Sequence, residues 1–256
     1  MDLPSSLPAT PPSRVLIVGA NSAIAQALAR RYAARGARLL LLGRRAQALD
    51  ADAADLRVRG ATEVACLHFD ASEPASHPEL LARAWQQWQG LDIAVVAHGV
   101  LPDQAASEAS AALALNSFDT NARSMISVLT ELANYFEAQG HGVIGVVSSP
   151  AGDRGRASNY VYGAAKAAVS VFCSGLRHRL FRHGVRVVTI LPAFVDTPMT
   201  AAFAKGALWA QPARVAKDIE RSLDHHNGNL YTPWFWRWMM LIVVHLPQRM
   251  FLRSKL

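Results

Sequence analysis

An α/β fold built on a parallel, doubly wound sheet is what this sequence predicts, on three observations. Short runs of branched and apolar residues alternate with longer segments of helical period. A turn of small residues, Val18-Gly-Ala-Asn-Ser-Ala-Ile-Ala25, joins the first run to the first helical segment. The apolar fraction of 51% in 256 residues is enough for a sizeable core in one large domain.

Six strands are expected, over residues 14–18, 38–42, 64–69, 93–97, 143–147 and 185–191. Each is apolar, rich in branched side chains and too short for a helix. Helical periodicity fills most of the gaps, over 22–35, 78–89, 117–138, 160–182 and 212–226. Strict alternation of strand and helix means a parallel sheet covered on both faces. Right-handed crossovers then give a Rossmann-like, doubly wound order. No internal repeat or interdomain linker interrupts it. Residues 1–13, rich in Pro and Ser, read as a flexible lead-in rather than a signal peptide, having no basic n-region and no apolar h-region. The catalytic domain is expected over 14–232 and a distinct tail over 233–256. Between them, 193–211 has no clear period and follows the sixth strand, where an irregular loop is a candidate substrate lid.

Composition excludes several functions. Cys66 and Cys173 sit in apolar runs without metal-like spacing, so they read as buried thiols in a reducing cytoplasm, and no metal site is expected. The net charge of +7 is spread along the chain and matches no nucleic-acid module.

The small-residue turn after the first strand suits a pyrophosphate approaching a helix N-terminus, with Gly19 at its start. As a glycine fingerprint it is poor, because Ala23 and Ala25 stand at the next two positions that are often glycine. Strand two ends in Leu42-Gly-Arg-Arg45. With no acidic residue to hold a ribose 2′-hydroxyl, Gly43 leaves room and Arg44 can pair with a 2′-phosphate, which favours NADP(H) over NAD(H), although NAD(H) stays possible. A solvated arginine pair is the alternative. Asp70 can accept from an adenine amino group, or serve only as a turn or N-cap aspartate. Tyr162 and Lys166, four residues apart, share one helix face. There an ammonium can stabilise a phenolate and bring the tyrosine pKa down towards neutrality, making it an acid/base for a carbonyl or alcohol.

Taken in order, Gly19-Ala-Asn-Ser-Ala-Ile-Ala25, Asp70, Ala97-His-Gly99, Asn121, Ser148-Ser149, Tyr162 with Lys166, and Leu191-Pro-Ala-Phe-Val-Asp-Thr197 resemble the short-chain dehydrogenase/reductase superfamily over residues 14–200. The departures are Ala23 and Ala25, His98 for the usual Asn, and Ala193 for the Gly after Pro192. The resemblance implies a hydride-transferring oxidoreductase on C=O/CH–OH, commonly a homodimer or homotetramer. It implies that Tyr162 is the acid/base and that Lys166 tunes it and holds the nicotinamide ribose. Ser149, thirteen residues before Tyr162, would polarise the substrate carbonyl, with Ser148 a rival for that role. Asn121 would hold a water linking Lys166 to solvent. Gly19, Asn21, Ser22, Ile24, Arg44, Asp70, Ala97 and Gly99 would line the cofactor, and Thr197 with the backbone near Val195 would fix its carboxamide. His98 reads as a structural histidine near the cofactor.

The tail reads Pro-Trp-Phe-Trp-Arg-Trp-Met-Met-Leu-Ile-Val-Val-His-Leu over 233–246, followed by Arg249, Arg253 and Lys255 and no acidic residue. It is too short to span a bilayer, which needs about 20 apolar residues. Tryptophan and basic residues suit a membrane interface, so peripheral contact at the inner face of the cytoplasmic membrane is the first reading. Packing against a second subunit is the second, and an internal core element the third. With Ala97-His-Gly-Val-Leu-Pro-Asp-Gln104 and the alanine-rich turn, this tail is similar to a subgroup that includes the decaprenylphosphoryl 2-keto-pentose reductases, whose substrate is a keto sugar on a polyprenyl phosphate. A small soluble or lipid ketone is the alternative substrate, and a catalytically idle NADP-sensing binding protein the alternative class.

Overall fold

The computed structural model describes residues 12–254. Most of the expected lead-in and Lys255 lie outside that range. Seven parallel strands form one sheet: β1 (Arg14–Val18), β2 (Arg38–Gly43), β3 (Glu63–His68), β4 (Ile93–Val96), β5 (Gly142–Val147), β6 (Val185–Pro192) and β7 (Asn229–Thr232). Their spatial order is β3-β2-β1-β4-β5-β6-β7, so chain direction reverses its march at the β1/β4 boundary. Val18 there stands opposite Leu42 on one side and Val96 on the other. A crevice at such a reversal, beyond the carboxyl ends of the strands, is where α/β sheets bind ligands.

The helices are α1 (Ala23–Ala33), α2 (Ala46–Val58), α3 (His77–Gln86), α4 (Gln104–Ala109), α5 (Ala111–Phe118), α6 (Ser124–Gln139), α7 (Tyr160–Phe181), α8 (Pro212–His225), α9 (Trp236–His245) and α10 (Gln248–Phe251). Strand alternation sorts the core into two layers. Val15, Ile17, Leu39, Leu41 and Val95 pack under α1, α2 and α8, whereas Leu16, Val18, Leu40, Leu42 and Val96 pack under α3, α6 and α7.

Three differences from the expectation stand out, besides the short helix α4 and the helical form of the tail. Helix α2 was not anticipated, and it buries only Leu49, Ala53 and Leu56 amid alanines and aspartates. Strand β7 adds an edge of four residues with one buried side chain, too faint a pattern to read. The single helix expected over 117–138 is two helices joined by a π-helical turn, Asp119–Arg123. Such one-residue expansions gather at functional sites.

The loop after β6 is irregular, as expected, apart from one short helical turn, Pro198–Thr200. Val195 bridges Ala210 in parallel, and Phe194 stacks on Trp209 with centroids 5.4 Å apart. The tail folds back as α9 and α10. Trp236 and Met240 are buried, while Trp234, Trp238, Leu241 and Ile242 face outward with half or more of their surface exposed in most cases. Trp236 meets Phe194 edge-on at 5.1 Å, so tail and lid share one aromatic cluster.

Candidate active site

The cofactor side is made of backbone. Gly19 has φ of +84°, and a Cβ built there would stand 2.5 Å from the His98 backbone nitrogen. Only glycine fits that approach of two strand ends. Gly19 N–H and Ala20 N–H both donate to Leu42 O, which fixes the turn. Ser22 then caps α1 by accepting from Ala25 N–H at 3.2 Å. Ala25 buries its methyl in the core, so this turn tolerates the alanine that stands in for a glycine. Ile24 packs against the same core layer.

Asn21 reaches across the end of β2. Its Oδ1 accepts from Arg45 N–H at 3.3 Å, and its Nδ2 is buried with no partner. The space over Gly43, expected to be open, is taken by this side chain: an added Cβ would lie 2.6 Å from Asn21 Oδ1. Arg44 is exposed and makes no ion pair or hydrogen bond among the described residues. Asp70 carries a turn, its Oδ1 accepting from Ser72 N–H (2.9 Å) and Ser72 Oγ (2.7 Å). Those bonds hold its carboxyl below the usual range, and Arg44 contributes to the same shift. The aspartate therefore has the turn role in this structure and sits near the exposed arginine.

His98 is structural. Its Nε2 lies 2.6 Å from Ser124 Oγ, which itself donates to Thr120 O at 3.1 Å. Since that hydroxyl proton is committed, Nε2–H donates and Nδ1 keeps a bare lone pair, buried without a partner. Burial first, and then the Lys166 charge, push its pKa down to about 3. Ala97 N–H donates to Val18 O at 2.8 Å and ties β4 to β1. At Gly99 an added Cβ would stand 2.8 Å from Asn121 Oδ1 and 3.5 Å from Lys166 Nζ. The β4 loop thus brings Asn121 and Lys166 together.

The other side of the crevice is made of side chains. The two serines after β5 part company. Ser148 is buried and its hydroxyl donates to Lys166 O at 3.0 Å, with Ser170 Oγ 2.7 Å away. Ser149 is part-exposed, accepts from Ala151 N–H at 3.2 Å, and its hydroxyl acts on Tyr162. Ser148 is thus committed to Lys166 O and Ser170, and Ser149 is the serine that bears on the phenol. Lys166 is 2% exposed, donates to Val147 O at 3.0 Å and touches Met125 Sδ at 3.7 Å. Its ammonium lies 5.7 Å from the Tyr162 ring centroid.

The expected pull of Lys166 on Tyr162 is not found: Lys166 is not among the influences on the phenol. Burial pushes the Tyr162 phenol up to about 12, against a smaller lowering by the Ser149 hydroxyl. Burial also pushes the Lys166 ammonium down to about 8. The pair shares a pocket where desolvation dominates both groups, and the phenol keeps its proton at neutral pH.

Asn121 is fully buried in the π-helical turn. Its Nδ2 donates to Ser117 O (3.0 Å) and Ser117 Oγ (3.2 Å), and its Oδ1 accepts from Val100 N–H (2.9 Å). Both amide hydrogens are spent on Ser117, and the amide oxygen holds the β4 loop. Any water it held towards Lys166 would rest on its remaining oxygen lone pair or on its backbone. Thr197 N–H donates to Thr200 Oγ1 (3.1 Å), which in turn donates to Val195 O (2.6 Å). Thr200, which the sequence reading passed over, is the residue that knits Val195 and Thr197 into one turn.

The donor set fits a dinucleotide. The N-terminus of α1, the glycine-only approach at Gly19, the orphaned Asn21 Nδ2 and the space at Gly99 run in series along the reversal point. Among the described residues no cluster of three or more His, Cys, Asp or Glu could hold a metal. Residues missed by the sequence reading include Asp153, Arg154 and Tyr231, which bind the Ser149 loop to β7 and the tail; their partners are distant in sequence and left no local signal.

A family model described as short chain dehydrogenase matches residues 13–207. An uncharacterised oxidoreductase of Mycobacterium tuberculosis is 39% identical over 234 residues, spanning 91% of this chain and 94% of its own. An uncharacterised oxidoreductase of Streptomyces coelicolor is 35% identical over 244 residues, spanning 95% and 96%. Two solved structures share the fold. An actinorhodin polyketide ketoreductase crystallised with NADPH superposes with a TM-score of 0.76 at 23% identity, over 86% of this chain and 95% of that one. A levodione reductase superposes with a TM-score of 0.77 at 22% identity, over 87% and 96%.

Proposed function

The chain belongs to the short-chain dehydrogenase family, and on that premise we propose that it is an NADPH-dependent ketoreductase, reversible as an alcohol dehydrogenase, whose substrate carbonyl is carried on an apolar or lipid-linked molecule. The observation that carries the reading is the divergence of Ser148 and Ser149 beside Tyr162 and Lys166: one hydroxyl secures α7, and the other stands next to a protonated phenol. A bound nicotinamide cofactor supplies the hydride. Ser149 then donates to the carbonyl oxygen and orients it. Tyr162 gives its proton to the same oxygen as negative charge develops there. Lys166, anchored on Val147 O, offers its remaining N–H groups to the cofactor ribose and to the phenolate left behind. Asn121 keeps the β4 loop against this pair by holding Val100. Arg44 supplies the cation for a 2′-phosphate, and the Asn21 and Gly99 surfaces line the dinucleotide.

For the substrate, the support is the aromatic cluster of Phe194, Trp209 and Trp236, which joins the lid to the tail. A keto sugar on a polyprenyl phosphate is the substrate class we favour, and a free lipid ketone is the second. The outward face of α9 suits peripheral contact with the inner face of the cytoplasmic membrane: Trp234, Trp238, Leu241 and Ile242 are exposed beside exposed Arg237. Among the described residues no helix is long and apolar enough to cross a membrane. Self-association as a dimer or tetramer belongs to the same reading, since Val171 and Phe181 leave apolar surface exposed on α7.

The test is an NADPH-oxidation screen over polyprenyl-linked keto sugars, free keto sugars and simple ketones, with and without anionic vesicles. Turnover greatest on the lipid-linked substrates and raised by vesicles is expected. Equal rates on free and linked sugars would remove the lipid reading, and no oxidation on any carbonyl would remove the activity.

A further inference from the structure

Ser149 opens a tight turn, Pro150–Gly152, and this turn is held twice. Helix α7 holds it through glycines: a Cβ on Gly152 would stand 2.6 Å from Ala167 N, and one on Gly163 would stand 2.7 Å from Ala151 O. The second hold comes from far along the chain. Asp153 Oδ2 accepts from Tyr231 Oη at 2.9 Å, which ties the turn to β7. Arg154, the next residue, reaches the tail. Its Nη1 shares two hydrogens among Val243 O (2.5 Å), Val244 O (3.1 Å) and Leu246 O (2.8 Å), carbonyls at and just after the C-terminus of α9. Its Nη2 donates to Gln248 Oε1 at 3.4 Å, and its guanidinium lies 3.8 Å from the Phe251 ring centroid in α10. A single planar cation therefore caps one helix and stacks on the next, using both properties that separate arginine from lysine.

We propose that Arg154 is a positioning residue: it clamps α9 and α10 onto the loop that begins at Ser149, so that the docked tail sets the Ser149 hydroxyl against Tyr162. The inference rests on the reading of Ser149 and Tyr162 as the carbonyl-binding pair. It gives the C-terminal helices a part in catalysis that is separate from any membrane contact, because the clamp uses their carbonyls and Phe251 while Trp238, Leu241 and Ile242 stay outward. The clamp is also chemically economical in one respect: the cation meets carbonyls and a ring face, with no carboxylate among its partners. Its grip should therefore be less sensitive to salt than that of a surface ion pair.

The experiment uses the full-length chain with Arg154→Ala, Arg154→Lys and Phe251→Ala. Misplacing a reacting group by about 1 Å can cost roughly a hundredfold in rate. With the ketone that gives the fastest NADPH oxidation in the screen above, Arg154→Ala is expected to lower kcat by about tenfold or more and leave the KM for NADPH within about twofold. Arg154→Lys is expected not to restore it, and Phe251→Ala to give an intermediate loss. The alcohol-oxidation pH profile should shift upward in Arg154→Ala, because Tyr162 loses the lowering influence of Ser149. A readout that needs no turnover is hydrogen exchange on the NADPH-bound protein: the Gly152 amide, which donates to Ser149 O at 3.1 Å, should exchange faster in Arg154→Ala while amides of β4 do not. Should Arg154→Ala fail to fold, Phe251→Ala carries both readouts. Unchanged kcat, pH profile and Gly152 exchange in these variants would overturn the clamp. Wild-type protein that reduces no carbonyl, yet whose Gly152 exchange responds to Arg154→Ala, would overturn the Ser149–Tyr162 reading and leave the clamp standing.

Discussion

The two halves of the sheet, divided at the β1/β4 boundary, work by different means. On the β1–β2–β3 side, the proposed site rests mainly on backbone: a positive-φ glycine, a capped helix start and a turn tied to Leu42 O. On the β4–β7 side the proposed site rests on side chains buried at a cost: a lysine, an asparagine and a part-buried tyrosine. The difference teaches where sequence change is tolerated. Ala25 can replace a glycine because its methyl goes into the core. No equivalent freedom exists for Lys166, whose position is fixed by Val147 O and by Ser148 on its own carbonyl.

The sharpest way to break this contrast is Tyr162→Phe. Loss of a general acid typically costs about 10²–10⁴-fold in rate. Turnover should fall by that range while NADPH binding, read by fluorescence titration, stays near wild type; unchanged turnover would end the side-chain account. Next is Lys166→Met. Burial lowers the Lys166 pKa from 10.5 to about 8, so between those values the unfolded chain binds the proton and the folded chain does not. Stability contributed by this group therefore rises with pH across that window, and its penalty is fully present below pH 8. Lys166→Met should be inactive yet more stable at pH 7, by up to roughly 3 kcal/mol. Its advantage over wild type in urea melts should shrink as pH rises from 8 towards 10.5. A constant difference would mean the ammonium is well solvated. Cys173, whose pKa is raised mainly by burial, pushes stability the opposite way at alkaline pH in both proteins.

The backbone half is probed by Gly19→Ala. A Cβ at a φ of +84°, 2.5 Å from His98 N, forces two strand ends apart. Strain of this kind costs about 1–3 kcal/mol, to be seen as a lower denaturant midpoint together with weaker NADPH binding. A neutral result would show that the turn adapts as it does at Ala25. The smallest effect is expected from exposed Arg44→Ala. It should weaken NADPH about tenfold and leave NADH unchanged, as expected for one charge-assisted contact. Equal losses for both cofactors would remove the 2′-phosphate argument.

Much of this was legible in the residues. Strands β1, β2, β4, β5 and β6 announced themselves as buried runs with helical stripes between them, because a parallel sheet covered on both faces needs apolar side chains throughout. Tyr162 and Lys166 were legible because helical spacing makes neighbours of them. Helix α2 was hidden by its alanines, and β7 by being a short edge. The burial that governs Tyr162 and Lys166 was not legible, since desolvation depends on what packs around a pair and not on its spacing. Nor was the grip of Arg154, whose acceptors lie about ninety positions later.

The π-helical turn at Asn121 constrains how the helix after it can change. An α-helix advances about 100° per residue, so the one extra residue in the ladder sets the direction of everything after it. Deleting it would straighten the helix but swing Met125, Val128 and Leu132 out of the core layer they share with α7. Keeping their direction without the bulge would require rewriting the whole following stripe at once. Removing the bulge therefore calls for coordinated changes along α6 rather than one deletion.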